Sequence, residues 1–363
     1  MLSRIFTSLF MIGYAVCSAA LAGEPDRPRL AFDPSRDVDQ WQTELRRELC
    51  QILALPVDSP GELRGARKRD LETDDYTMDC VEFRAEPGEV VPGYLLLPKS
   101  GIRPFPTMIC LQGHAPGMHI SIGRANSEKE ESLIKGGRDI AIQAVRHGWA
   151  ALVIEQRAFG ARAEEGVSCG NQALFDLLKG RPLTGQRVLD VMRAVDFIAE
   201  QRDLDASRIG CMGNSAGGTI SFYAACVEPR IRLAVVSCSF GTFESTWLYK
   251  QHCACGYLPG LLKVADMPDL AGLIAPRHLI IVAGKQDYLA RFDGVERGYE
   301  VARQCFAASG HPNRVTLVTG EGGHQFYPDL AWPVIQETLA GWKFLVGNLN
   351  PLRVRVCEIE CQQ

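Results

Sequence analysis

Residues Gly210–Gly218, GCMGNSAGG, decide how the rest of the chain is read. Glycines at 210, 213, 217 and 218 surround one serine, Ser215. Before it runs RIGCMG, an apolar segment with the look of a core strand; after it runs GTISFYAACV, a helical pattern. The pentapeptide Gly213-Asn214-Ser215-Ala216-Gly217 is G-x-S-x-G between a strand and a helix, the context of a nucleophile elbow. So tight a turn demands small residues two before and two after the serine. It also pushes the serine into a strained backbone region, at a cost of about 1–3 kcal/mol. The helix that follows aims its first amides at developing negative charge. A nucleotide-binding turn fits less well. Gly210, Gly213 and Gly217 do not make G-x-G-x-x-G, no Lys-Ser/Thr pair follows, and several strands precede the turn.

Outward from the turn, short apolar runs alternate with helical patterns. TMICL (107–111), ALVIE (151–155), LAVVSCS (233–239), HLIIVAG (278–284) and RVTLVT (314–319) read as strands. VEFRAEPGEVVPGYLLLP, split at Pro87-Gly88, reads as a hairpin at the start of the sheet. Helices are expected near Asp37–Leu53 and over Gln186–Glu200, where Val188, Met192, Val195 and Ile198 recur at three- and four-residue steps. The expected architecture is α/β: a mostly parallel sheet of about eight strands with helices on both faces. Ligands bind such sheets beyond the carboxyl ends of the strands.

Three of those ends carry reactive side chains, in the order Ser215, Asp287, His324. Serine needs an adjacent base, and histidine is the natural one. Of seven histidines, His324 follows the last strand, with two glycines just before it. Asp287 is expected to orient it, in preference to Glu244 and Asp293, because the order Ser-Asp-His then holds. Oxyanion donors are expected from the Ala216 amide and from the loop LQGHAPGM, at His114 with Gly113 second. Phe243, Trp247 and Tyr257, in a long insertion, are expected to line the substrate pocket. Arg157 is expected to brace its loop. His114 and His119 have no third metal ligand nearby in sequence.

Taken together, LQGH, EQRAFGAR, GRPLTGQRVLDVMRAVDFI, DASRIGCMGNSAGG, the segment CACGYLPGLLKVADMPDLAGLIAPRHLIIVAGKQD and GEGGH resemble the α/β-hydrolase superfamily. Within it they resemble the acetyl-xylan-esterase-like and dienelactone-hydrolase-like bacterial enzymes. The resemblance implies the α/β-hydrolase fold, ester hydrolysis through a Ser215-His324-Asp287 triad, and no metal or organic cofactor. The substrate it implies is an acetylated carbohydrate or another small acyl ester. EQRAFG departs from the common D-x-R-G-x-G pattern, with Glu155 for the acid and Ala158 for the glycine. The alternatives are a prolyl-oligopeptidase-like peptidase, for whose propeller residues 24–75 are too short, and a non-catalytic binder on the same scaffold.

Composition is consistent with a globular protein. The chain has 363 residues, 46% hydrophobic and 23% charged, with net charge −4, so no basic face points to nucleic acid. Residues 1–22 read as a signal peptide cleaved after Ala22, which implies export and no stable membrane span thereafter. Residues 23–75 are expected to form a helical extension, 76–350 the catalytic domain and 351–363 a tail. Of 13 cysteines, Cys110, Cys211 and Cys238 lie in apolar runs and read as core residues. Any disulfides are expected among Cys169, Cys253, Cys255, Cys357 and Cys361. The C-x-C at 253–255 hints at metal, but no second Cys/His pair at zinc-finger spacing follows, so no metal is expected.

Overall fold

Period-two alternation on the apolar runs puts successive side chains on opposite faces of a strand. A strand apolar at every position must therefore be covered on both sides. In Phe105–Leu111 every residue is buried; Ile109 and Leu111 join one core layer, Met108 and Cys110 the other. Ile231–Ser237 divides the same way, with Ala234 and Val236 on one side and Leu233 and Val235 on the other. The structure, a computed structural model, describes residues 27–57 and 61–342. The expected signal peptide and the tail 351–363 lie outside the described residues.

Nine strands make one sheet: β1 (Ala66–Glu72), β2 (Tyr76–Glu86), β3 (Glu89–Pro98), β4 (Phe105–Leu111), β5 (Ala150–Ile154), β6 (Leu204–Asn214), β7 (Ile231–Ser237), β8 (His278–Gly284) and β9 (Val315–Gly320). Their order is β1-β2-β3-β5-β4-β6-β7-β8-β9. β1, β2 and β3 are antiparallel, β3 meets β5 antiparallel, and β5 through β9 are parallel. The mostly parallel sheet is as expected, with nine strands for about eight. The ninth is β1, which lies inside the stretch read as a helical extension. Its sequence, ARKRDLE, is almost wholly exposed, so it carries no apolar alternation to announce it.

Eight helices of six residues or more accompany the sheet among the described residues. They are α1 (Val38–Ile52), α2 (Glu128–Leu133), α3 (Ile140–Arg146), α4 (Cys169–Leu178), α5 (Leu183–Glu200), α6 (Ala216–Val227), α7 (Phe292–Ala308) and α8 (Pro328–Trp342). α1, α5, α6 and α7 pack on one face and α3 and α8 on the other. Asp37 caps α1 by accepting the Gln40 amide. Trp41, Leu45 and Leu49 then join the main core, so the N-terminal helix is an integral part of it.

The sheet turns back on itself around β4. β5 lies on one side of β4 and β6 on the other, so the chain changes direction across the sheet there. A crevice opens at such a switch point, beyond the carboxyl ends of the two central strands. Leu111 at the end of β4 is in register with Gly213 at the end of β6. The loop after β4 therefore stands beside the Ser215 turn.

A buried ion cluster holds the next loop, after β5, to α5. Asp190 accepts from Arg157 at 2.9–3.2 Å and from Arg162 at 2.6 Å. Arg157 also donates to Glu86 at 2.8 Å, and Arg187 donates to the Arg157 carbonyl at 2.6 and 3.0 Å. Arg157 thus braces its loop, as expected. Removing one partner of a buried pair leaves an uncompensated charge. Asp190→Ala should therefore cost about 3–5 kcal/mol of stability, read by denaturant unfolding.

Candidate active site

Ser215 adopts φ 59°, ψ −124°, a backbone region that L-residues avoid. The turn that forces this is held by Ser215 N–H donating to Ser237 O at 2.8 Å and by Thr219 N–H donating to Ser215 O at 2.9 Å. A Cβ on Gly217 would overlap the Leu111 carbonyl oxygen, and one on Gly213 would overlap the Gly217 backbone. Both glycines of the G-x-S-x-G pattern are thus required by contact with their neighbours. Ala216 is the first residue of α6, so its N–H has no acceptor within the helix.

His324 follows β9 and Asp287 follows β8. The His324 Nδ1 and Asp287 Oδ2 are 2.8 Å apart, and Asp287 Oδ1 accepts the Leu289 amide at 2.9 Å. The Asp287 side chain is only 4% exposed. Burial alone would raise its pKa, but the hydrogen bond and charge of His324 outweigh burial and hold the carboxyl below its ordinary 3.8. Glu244 is elsewhere: its side chain is 75% exposed and faces Arg291 and Arg297 at 3.7 and 3.8 Å. Asp293 pairs with Arg297 at 2.5 Å.

Ser215, Ala216, His114 and His324 all line one cavity of about 360 Å³. The Ser215 hydroxyl makes no hydrogen bond to His324 among the described residues; the two share the cavity wall. Catalytic hydrogen bonds commonly tighten only once substrate is bound. Gly113 is pressed against the elbow, and a Cβ there would stand 2.8 Å from Asn214 O and 3.3 Å from Ser215 Cβ. The loop after β4 can approach Ser215 because position 113 has no side chain.

Folds of this architecture are common, and comparison with known proteins shows which one this is. A model of the family described as "Abhydrolase family" matches residues 7–177, and one of the "Prolyl oligopeptidase family" matches residues 178–251. A Bacillus subtilis (strain 168) protein provisionally named hydrolase YtaP is 25% identical over 294 residues, 78% of this chain and 94% of its own. A protein of Bacteroides fragilis NCTC 9343, provisionally named an acetyl xylan esterase, superposes with TM-score 0.68 at 19% identity, over 85% of this chain and 82% of its own. A glucuronoyl esterase from Solibacter usitatus superposes with TM-score 0.64 at 16% identity, over 87% and 97%. The chain has the α/β-hydrolase fold.

Two of the residues expected to line the pocket of this α/β-hydrolase fold lie elsewhere. Trp247 lines the cavity, but Phe243 and Tyr257 line a second, apolar cavity of about 300 Å³ behind it. Phe243 sits in a short helical turn that packs it against the main core. Trp247 and Gly256 are shared by the two cavities. The Trp247 ring lies against Gly256, where a Cβ would overlap it; it lies tilted over His252 with centroids 4.3 Å apart and meets Tyr257 edge-on at 5.3 Å.

Arg138 and His252 are wall residues with no local sequence signal, and Cys238, expected in the core from its apolar run, lines the cavity as well. Arg138 donates to the His324 carbonyl at 3.1 Å, and it has no carboxylate partner among the described residues. His252 has its Nε2 buried with no hydrogen-bond partner, and burial lowers its pKa. Cys238 lies beside Asp287 and His324, yet burial first and then the Asp287 charge push its thiol up to about 12, so it stays neutral. His119 turns away toward Glu130 at 3.1 Å and does not join His114.

Because the folded-state pKa of Asp287 is depressed, its pairing stabilises the fold above its ordinary 3.8 and is lost as pH falls through the lower, folded-state value. The difference in melting temperature between the parent and Asp287→Asn should therefore shrink on acidification through that range. A difference independent of pH would mean that Asp287 is not the ionised partner of His324.

Proposed function

We propose that the protein is a serine carboxylic-ester hydrolase acting through a Ser215-His324-Asp287 triad and an acyl-enzyme, on acetylated carbohydrates or other small acyl esters. The observation that carries this reading is that Ser215 and His324, from the ends of β6 and β9, share one cavity wall while Asp287, from the end of β8, hydrogen-bonds His324. With Nδ1 committed to Asp287, Nε2 of His324 is the nitrogen free to take the Ser215 proton. Ser215 Oγ attacks the ester carbonyl, and the tetrahedral oxyanion is received by the amides of Ala216 and His114, with Gly113 next to them. The imidazolium returns its proton to the departing alcohol. Water, deprotonated by the same imidazole, then attacks the acyl-serine and releases the acid.

The cavity volume is within the range that takes a small ligand. Trp247 offers an apolar face in it, and Arg138 a fixed positive charge near the developing oxyanion. The esterase names borne by the superposing proteins favour an ester over an amide as substrate. The prolyl oligopeptidase match over residues 178–251 keeps a peptidase in view as the second reading, since those residues include the elbow.

Ser215→Ala should lose p-nitrophenyl acetate turnover by about 10⁴-fold or more while keeping the parent's melting temperature. A fluorophosphonate probe should label the parent at Ser215 and leave the variant unlabelled. Activity retained in Ser215→Ala would end the proposal. Turnover of peptide p-nitroanilides in preference to acetylated xylo-oligosaccharides would favour the peptidase.

A further inference from the structure

Three of the cysteines do not behave like the rest. Cys110, Cys211 and Cys226 are buried singly, each sulfur directed to a backbone carbonyl or a hydroxyl at 3.3–3.6 Å. Cys169, Cys253 and Cys255 instead converge on one another and on the ring of His114. One ligand atom from each of the four lies within 4.8 Å of all the others. Cys255 Sγ is 3.3 Å and Cys169 Sγ 4.0 Å from His114 Nε2, and Cys253 Sγ is 3.9 Å from Cys169 Sγ.

These three separations are close to the edges of a coordination tetrahedron, and the other three lie within 4.8 Å. With Zn–S near 2.3 Å and Zn–N near 2.0–2.1 Å, its edges are about 3.8 Å between sulfurs and about 3.5 Å from sulfur to nitrogen. A Cys169–Cys253 disulfide would instead need the sulfurs to close to about 2.05 Å. Three soft thiolates and one imidazole with no carboxylate favour zinc over calcium, magnesium or manganese. Four protein ligands make a closed site of the structural kind.

The surroundings suit the charge. Three thiolates and one Zn²⁺ leave a net negative charge. The buried Arg187 sets Nη2 at 3.2 Å from Cys169 Sγ, held there by the Arg157 carbonyl and by the Phe159 ring at 4.3 Å. Such outer partners orient the ligands and neutralise the centre. Thr184 Oγ1 fixes the Cys255 carbonyl at 2.5 Å.

We infer that His114, Cys169, Cys253 and Cys255 bind one structural Zn²⁺ in the wall of the candidate active site. This inference departs from the sequence-based expectation of no metal. That expectation asked for a second pair at short spacing, whereas these ligands come from the loop after β4, the first residue of α4, and the turn Ala254–Gly256 with Cys253 just before it. The ion ties those three loops together, and one of them carries the His114 amide. The inference does not depend on the ester-hydrolase reading, because its test measures metal rather than turnover.

The full chain, purified without added chelator, should contain about one zinc per molecule by elemental analysis. Replacement by Co²⁺ should give the intense visible bands of tetrahedral thiolate coordination. Cys169, Cys253 and Cys255 should resist alkylation until the metal is stripped. Cys253→Ser/Cys255→Ser and His114→Ala should lose most of the zinc, and Cys80→Ser, at an exposed thiol on β2, should keep it. Should those variants fail to fold, the parent still decides: stripping zinc should lower its melting temperature, and adding zinc back should restore it. Metal-free protein whose melting temperature ignores added zinc would overturn the inference. So would a Cys169–Cys253 disulfide found by non-reducing mass spectrometry, or zinc retained at full stoichiometry in the double variant.

Discussion

The contact between the elbow and the end of β4 is the constraint on which the site depends. Gly217 packs its Cα against the Leu111 carbonyl, and Leu111 is paired with Gly213 across the sheet. No side chain larger than hydrogen fits at either glycine. That close approach forces Ser215 into its unfavourable backbone conformation and places α6 directly behind it. It also puts the loop after β4 against the serine, where an oxyanion donor is needed. Strain at one residue and proximity between two loops share a single cause.

Around this point the protein uses polar groups as fasteners. Asp190 gathers Arg157 and Arg162, and Arg187 holds the Arg157 backbone. Buried charges are costly unless fully partnered, so such a cluster is sensitive to losing any one member. Ala158 sits among them at φ 63°, a left-handed conformation that favours glycine. The local cost of that left-handed alanine is of order 1 kcal/mol, which a dense hydrogen-bonded surround can hold.

How much was legible in the sequence depended on whether the signal was local. The strands from β4 to β9 announced themselves by unbroken apolar runs, and α5 by its three- and four-residue spacing. The elbow was legible because its glycines, its serine and its flanking elements are contiguous. Asp287 and His324 were legible because strand ends and chain order limit where partners can stand. β1 was not, since its exposed, charged residues carry no alternation. Phe243 and Tyr257 were placed one cavity away because an aromatic in a loop does not declare which side of Trp247 it faces. Arg138 and His252 reach the wall only through folding, and the Cys169, Cys253, Cys255 and His114 cluster joins positions separated by up to 141 residues.

The Trp247 indole is clamped by Gly256, His252 and Tyr257 and forms a partition between two chambers. The fused ring thus sets an apolar boundary to the space beside Ser215, and Leu248, Leu258 and Leu261 on its far side belong to a separate, oily recess.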